Sequence, residues 1–380
     1  MPSRSKEISL YFHIPFCSRK CDYCHFYVIP PKDSFKKILL EGIEIEISRN
    51  LDKFKNKILS SIYFGGGTPS LLGAQYIAKI LQWINQTNLF KNPIEITLEA
   101  NPENINKKVM REYFEAGINR VSIGIQTFHD ATLKSLGRKH NSQQAIDAVF
   151  ATADSGIENI SIDLMYDLPR QTFSQWEDSL SKAVQLPISH LSLYNLTIEP
   201  HTVFFKRKAS IVQSLPNENE SKKMYLQACN TLKKYEFQQY EISAFAKKNS
   251  YSRHNSAYWT GQPFLGFGPS AFSYWNYRRF RNIANINRYY RFLKNGKSPI
   301  DFEEELCTKS RKKELLAIQL RLLFGLNLSL FEKQHGLLEE ETKKNLSQLI
   351  KSGLIQQKGS LICLSEKGKL FYDSVATEII

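Results

Sequence analysis

Residues 11–28 read YFHIPFCSRKCDYCHFYV, with three cysteines, Cys17, Cys21 and Cys24, in the spacing CxxxCxxC. They follow a short apolar run, SLYFHI at 9–14. Three thiolates are too few to close a four-ligand zinc site, and no second CxxC or HxxxH occurs later in the chain. His25 stands beside Cys24, but neighbouring residues in a tight loop rarely both reach one metal. A four-iron cluster fits the set better, because each thiolate takes one iron and the fourth iron stays open to another ligand. On that reading the absent fourth cysteine is itself a binding site. Cys229, Cys307 and Cys363 are isolated and expected to be buried apolar residues.

The chain has 380 residues and is 42% hydrophobic, enough for a large core and more than one domain. Six cysteines, half of them clustered, do not read as a disulfide framework at this length. No apolar run approaches the length of a membrane span. The start, MPSRSKEISLYF, passes from a few polar residues straight into a strand and leaves no room for a signal peptide, so a cytoplasmic location is expected. Lys and Arg total 51 against 37 Asp and Glu, a net charge of +14. That balance suits a polyanionic partner, either a nucleic acid or a small molecule. Runs such as KFKNK and TKSRKK read as solvated faces, so charge alone does not choose.

Outward from the cysteines, β-rich runs alternate with helical stretches over the first two hundred residues. The strands expected are SLYFHI, SIYFGG, IEITLEA, RVSIGIQ, NISIDLMY and HLSLYNL. Six β/α units in a row imply parallel strands with helices outside, as a partial barrel or an open sheet. His13, the GGGT run at Gly65–Thr68, Glu99, Gln126, Asp163 and Asn195 fall at or just after strand ends, which share one mouth in a β/α barrel. After residue 200 the rhythm changes. YSRHNSAYWTGQPFLGFGPSAFSYW at 251–275 reads as an ordered loop region. From about residue 305 a helix, a Gly stop and a strand-turn-strand around KGS form a winged-helix-like module. The fold class expected is therefore α/β: a partial (β/α)6 barrel over 1–200, a connecting region over 201–304 that completes a cleft, and an α+β C-terminal domain over 305–380.

CxxxCxxC followed by GGGTPS at 65–70 resembles the radical S-adenosylmethionine (SAM) enzymes. The resemblance implies that SAM chelates the open iron and is cleaved reductively to methionine and a 5′-deoxyadenosyl radical. YFHIPFC, GGGTPS, EANP, SIGIQTF, LGRKH and SIDLMYDLP resemble the oxygen-independent coproporphyrinogen III oxidase family over nearly the whole chain. That resemblance implies a set of SAM contacts. Tyr11 lies near the cluster, Gly66, Gly67 and Thr68 hold the methionine amino group, and Glu99 takes the ribose or amino-acid end. Gln126 and Asp163 hold the ribose and adenosine side, and Arg138 pairs with the SAM carboxylate. Tyr23, Leu196 and Phe272 border the adenine.

The oxidases of this family read CxxxCxxCxC and carry a longer N-terminal extension. This chain has Phe26 at the position of the extra cysteine and only about ten residues before the core of its first strand. Both departures resemble a second subfamily, the oxidase-like proteins regarded as haem chaperones, which pass haem to acceptor proteins. RHNSAYW resembles the HNxxYW motif of that subfamily and implies His254 as the haem contact, flanked by Asn255, Tyr258 and Trp259. His25 departs from the aspartate that often follows the third cysteine there. Haem, with two propionates, or a porphyrinogen suits the positive charge. The expected cofactors are thus a [4Fe–4S] cluster, SAM and haem, with an electron donor and haem acceptors as partners. The alternatives are the oxidase itself, which decarboxylates propionates to vinyls, and a radical SAM enzyme acting on RNA. No basic stripe interleaved with aromatics supports the second. No membrane anchor is expected, and no catalytic residue is assigned.

Overall fold

Each of the six expected strands has an apolar face and a polar face, and that alternation shapes the molecule. The computed structural model of the protein describes residues 6–87, 89 and 93–380. The polar lead at 1–5 lies outside them. β1 (Glu7–Ile14), β2 (Ile58–Gly66), β3 (Glu95–Ala100), β4 (Arg120–Gln126), β5 (Asn159–Tyr166) and β6 (His190–Asn195) follow the six runs. They pair in parallel and in chain order. Helices Asp33–Arg49, Ala74–Asn85, Lys107–Glu115, Ser142–Ala153 and Phe173–Val184 make the crossovers. The last of these was not singled out from sequence. Its buried Trp176 donates its indole N–H to the Met224 carbonyl at 2.7 Å, pinning it to helix Glu218–Lys234.

On one face Leu10, Phe12, Ile62, Phe64, Leu98, Ile123, Ile162 and Leu191 are fully buried, in one core with Leu39, Ile77, Met110 and Val149 from the helices. On the other face the register sets Tyr11 beside Tyr63, Tyr63 beside Thr97, and Thr97 beside Arg120. One step along, Glu99 stands beside Ser122, Ser122 beside Ser161, and Ser161 beside His190. The Tyr63 hydroxyl on β2 is within electrostatic range of Asp163 on β5 and Tyr194 on β6. In a flat sheet β2 and β6 would lie about 19 Å apart, so the sheet is curled into a partial barrel with a polar interior.

The chain after residue 200 joins the same sheet. β7 (Gln238–Glu241) and β8 (Ala244–Ala246) add antiparallel to β6. On the opposite edge β9 (Phe264–Phe267) pairs in parallel with β1, and β10 (Phe272–Trp275), β11 (Arg278–Asn282) and β12 (Ile300–Glu305) continue outward.

Residues 251–275 are therefore not a loop region. They contain helix Arg253–Trp259 and strands β9 and β10. The Ser252 side chain caps the helix by accepting the Asn255 N–H. The Glu95 carboxylate accepts the Arg253 and His254 N–H groups at 2.8 and 3.0 Å, which suits the positive end of a helix. Gly266, which made the stretch look loop-like, permits close packing instead: a Cβ there would sit 2.0 Å from the Phe272 carbonyl oxygen.

The C-terminal region has the winged-helix-like form expected. β13 (Leu326–Asn327), β14 (Ile355–Lys358) and β15 (Leu361–Leu364) make a small antiparallel sheet in the order β13-β15-β14. Helix Glu340–Lys351 precedes β14, and Leu316, Leu326, Leu349, Ile355, Ile362 and Val375 form a core separate from that of the barrel. Arg321 ties it to the rest, donating to Glu241 at 3.2 Å and lying over Trp259 and Tyr372. Among the described residues no helix is long and apolar enough to cross a membrane.

Candidate functional site

β1 ends at Ile14, and the chain then loops out through the three cysteines and returns at Ile29. Phe16 and Ile29 close this loop as a bridge, with the Cys17 N–H donating to the Ile29 carbonyl at 3.0 Å. Inside it the Cys24 N–H donates to the Cys21 carbonyl, and the Asp22 N–H to the Leu136 carbonyl, each at 3.1 Å. The glycine run closes β2 and lies directly against the loop. The Gly67 and Thr68 N–H groups donate to the Ile14 and Phe16 carbonyls. A Cβ on Gly67 would sit 2.7 Å from the Phe16 oxygen, and Gly66 has φ +116°. No side chain fits either position without displacement, which explains the glycines.

A continuous chain of polar contacts then runs between two of the cysteines. Cys17 Sγ is 3.2 Å from Thr68 Oγ1, and Asn101 Nδ2 donates to the same hydroxyl at 2.9 Å. Arg138 Nη2 donates to Asn101 Oδ1 at 2.9 Å and to the Gly124 carbonyl at 2.5 Å, while its Nη1 points at Cys21 Sγ at 3.6 Å. Arg138 Nε has no hydrogen-bond partner among the described residues. Asn101 thus links the ends of β2, β3 and β4 to the cysteine loop. Sequence reasoning quoted it in EANP but gave it no role.

Deeper in the barrel, Glu99 accepts the Tyr63 hydroxyl at 2.8 Å and the Gly66 N–H at 3.1 Å. Burial pushes its carboxyl up to about 7, with the Tyr63 and Gly66 hydrogen bonds pulling the other way. Asp163 accepts from Ser122 at 3.2 Å and is likewise raised by burial. The Tyr11 hydroxyl and His13 Nδ1 share a hydrogen bond at 3.1 Å, and burial lowers His13 to about 4, which keeps that ring neutral. Gln126 ends β4 with φ +72°, a strained geometry for a side chain of this size, beside Gly124. Tyr23 packs with Leu136, Met165, Leu168, Leu196 and Phe204, so two of the three expected adenine neighbours share one apolar cluster. The third does not join them. Phe272 is 48% exposed and its ring stands with Phe302 and Arg281 on β12 and β11.

His254, the haem contact that the motif implies, lies on helix Arg253–Trp259. Its side chain is fully buried at the start of the barrel, with Nδ1 2.9 Å from Ser61 Oγ and Nε2 2.8 Å from the Tyr258 hydroxyl. Burial lowers it to about 3. In this conformation both ring nitrogens are committed and neither faces an open cleft. The isolated cysteines also differ from expectation. Cys229 and Cys363 are only half-buried, and Cys307 is exposed, because its sulfur caps helix Thr308–Gln319 by accepting from the Ser310 N–H.

Three free thiols on one loop fit the corners of an iron–sulfur cube. Among the described residues no group of three or more His, Cys, Asp or Glu is gathered as the ligands of one metal ion. The three thiols feel one another: burial pushes Cys17 up to about 11, and Cys24 and Cys21 add to the rise. A cube takes one thiolate at each of three corners.

Comparison with known proteins agrees. Residues 11–183 match the Radical SAM superfamily, and residues 309–371 match the HemN C-terminal domain. The chain is 33% identical over 368 residues to the heme chaperone HemW of Lactococcus lactis, covering 96% of this chain and 94% of that one. It is 35% identical over 380 residues to HemW of Haemophilus influenzae, covering 97% and 96%. The chain belongs to the heme chaperone HemW family. Superfamily membership implies a [4Fe–4S] cluster and SAM as cofactors. The family's fold is shared beyond it: coproporphyrinogen III oxidase (HemN) from Escherichia coli, a radical SAM enzyme, superposes with a TM-score of 0.85 over 99% of this chain and 91% of that one, at 24% identity.

Proposed function

We propose that this chain binds haem and passes it to acceptor proteins, and carries a cluster and SAM at the mouth of its barrel. Near full-length similarity to proteins named heme chaperones carries the reading. Phe26, where the related oxidases place a further cysteine, supports it.

Cys17, Cys21 and Cys24 would hold the cluster, which when bound supplies an open iron for the amino and carboxylate groups of SAM and an electron. The rest is the work of this chain's side chains. Arg138 places a cation beside Cys21 and offers its unpartnered Nε to a carboxylate. Gly66, Gly67 and Thr68 bring backbone groups close to an amino group. Glu99 offers an oxygen pair to a cation or to hydroxyls, and Gln126 and Asp163 serve ribose hydroxyls. Tyr23 and Leu196 give an apolar seat for a flat base, and Tyr11 braces the floor through His13. A cytoplasmic site of action and an external electron donor go with this reading.

The test is anaerobic reconstitution, followed by incubation with reductant, SAM and coproporphyrinogen III beside a working oxidase. We expect stoichiometric haem binding in a parallel titration and no vinyl product by mass spectrometry. Repeated turnover to the two-vinyl porphyrinogen would make the protein an oxidase and overturn the proposal.

A further inference from the structure

The seven residues of β4 run from Arg120 at the bottom of the barrel to Gln126 at its mouth, about 20 Å of strand. Along that depth the inward side chains change character. Tyr11, Tyr63, Glu99 and Asp163 are partly exposed, so the polar interior holds open space at their level, and Tyr194 at the mouth is exposed. One layer below Glu99, Thr97 and its neighbour Arg120 are fully buried. The ring of His254 stands 4.9 Å from that of Tyr63, so the motif histidine borders the same interior.

Arg120 is set apart from the other buried arginines. Arg138 bonds Asn101 and the Gly124 carbonyl, and Arg321 bonds Glu241. The Arg120 side chain makes no hydrogen bond or ion pair among the described residues, and the Thr97 hydroxyl beside it is also unbonded. Carboxylates are near, since the Arg120 charge holds back part of the rise that burial imposes on Glu99 and Asp163. Each is committed elsewhere: Glu99 to Tyr63 and Gly66, Asp163 to Ser122, and Glu95 to the Arg253 and His254 N–H groups. A buried guanidinium with none of its N–H donors used is costly. A bound anion that takes those donors offsets the cost.

We propose that Arg120 and Thr97 form a carboxylate seat at the bottom of the barrel, taking one propionate of the haem that this chain binds. The proposal rests on the haem-chaperone reading and deepens it. Arg138, near the other end of β4, is the partner for the SAM carboxylate, so a carboxylate at Arg120 belongs to a second molecule. A propionate carries its charge out from the rim of a flat apolar ring. Tyr11 and Tyr63, stacked with their centroids 6.2 Å apart, give flat surface above the seat. The edge of a guanidinium matches both oxygens of a carboxylate, and the threonine hydroxyl supplies a further donor.

The experiment titrates the reconstituted full-length chain with ferric haem and, separately, with haem dimethyl ester, following the Soret band. Urea denaturation of the haem-free chain runs alongside. The wild type should prefer the acid to the ester. Arg120→Met should weaken haem by roughly 10–100-fold, the scale of a charge-assisted hydrogen bond, and leave the ester within about twofold. It should not lower the urea midpoint, because it removes an unbonded buried charge at similar volume. Arg120→Lys, which keeps the charge but loses the fork, should retain only part of the preference. Equal binding of acid and ester by the wild type, or a preference that survives Arg120→Met, overturns the seat. Equal loss of acid and ester with a lower urea midpoint also overturns it, and makes Arg120 a structural counter-ion to Glu99 and Asp163. If Arg120→Met weakens SAM in equilibrium dialysis and spares haem, the carboxylate is that of SAM and the haem assignment is wrong. If the wild-type chain binds neither haem nor its ester, the chaperone reading itself falls and this inference falls with it, a result distinct from the others.

Discussion

The two ends of the barrel are built on opposite principles. At the cysteine end the chemistry is local in sequence: Cys17, Cys21, Cys24 and the Gly65–Thr68 run follow two adjacent strands, and Asn101 and Arg138 lock them together. At the other end the interior draws on Tyr63, Thr97, Arg120 and His254, which only strand register and the return of helix Arg253–Trp259 bring together. The first end announces itself as a motif. The second exists only as a layer of inward side chains, and its arginine is of a residue type that elsewhere marks a solvated face.

If the ends are independent, Cys21→Ala should abolish the cluster, seen as loss of bound iron and of visible absorbance, while leaving haem affinity within about twofold. Loss of both together would break the comparison. Phe12 ties the two ends through the shared core, its ring 5.1 Å from those of Phe64 and Phe267. Phe12→Ala should cost about 3–5 kcal/mol in urea denaturation, since neighbouring strands cannot close a cavity of that size. Arg138→Gln should weaken SAM about tenfold by equilibrium dialysis through loss of a charge-assisted contact, with haem binding unmoved.

The smallest effect concerns Glu99. Its folded value, about 7, lies above its ordinary 4.5. Below 4.5 it is protonated in both folded and unfolded states and contributes nothing. From 4.5 to about 7 the unfolded chain ionises first, so stability falls as pH rises, and above 7 the deficit is constant. Glu99→Gln should therefore flatten the stability profile between these values. SAM is cationic, so its affinity for the wild-type chain should rise a few-fold as pH passes upward through 7. A profile unchanged by Glu99→Gln would assign the dependence to another group.

The parallel strands were legible because alternation survives at the residue level: RVSIGIQ and NISIDLMY become β4 and β5 at the same boundaries. The same alternation held an unused signal. Ser, Tyr, Thr, Glu, Arg and Asp at every second position point to a polar barrel interior, and that pattern would have exposed Tyr63 and Arg120. Residues 251–275 were misread because glycine marks both loops and tight strand contacts, and only the Phe272 carbonyl pressed against Gly266 separates the two. His254 carried a motif, but a motif does not say which way a ring turns.

Chain-local features, namely the cysteine spacing, the glycine run and the β/α rhythm, were enough to determine the family and the partial barrel and to point to Cys17, Cys21 and Cys24 as the proposed cluster ligands. Each depends on contacts between residues near in sequence or on strands that pair in order. Tertiary structure alone decided that His254 is buried against Ser61 and Tyr258, that Phe272 stands apart from Tyr23 and Leu196, and that buried Arg120 goes without a hydrogen bond among the described residues. Those outcomes depend on how the sheet curls and how its edge strands pack, and packing between distant segments leaves no period in the sequence to read.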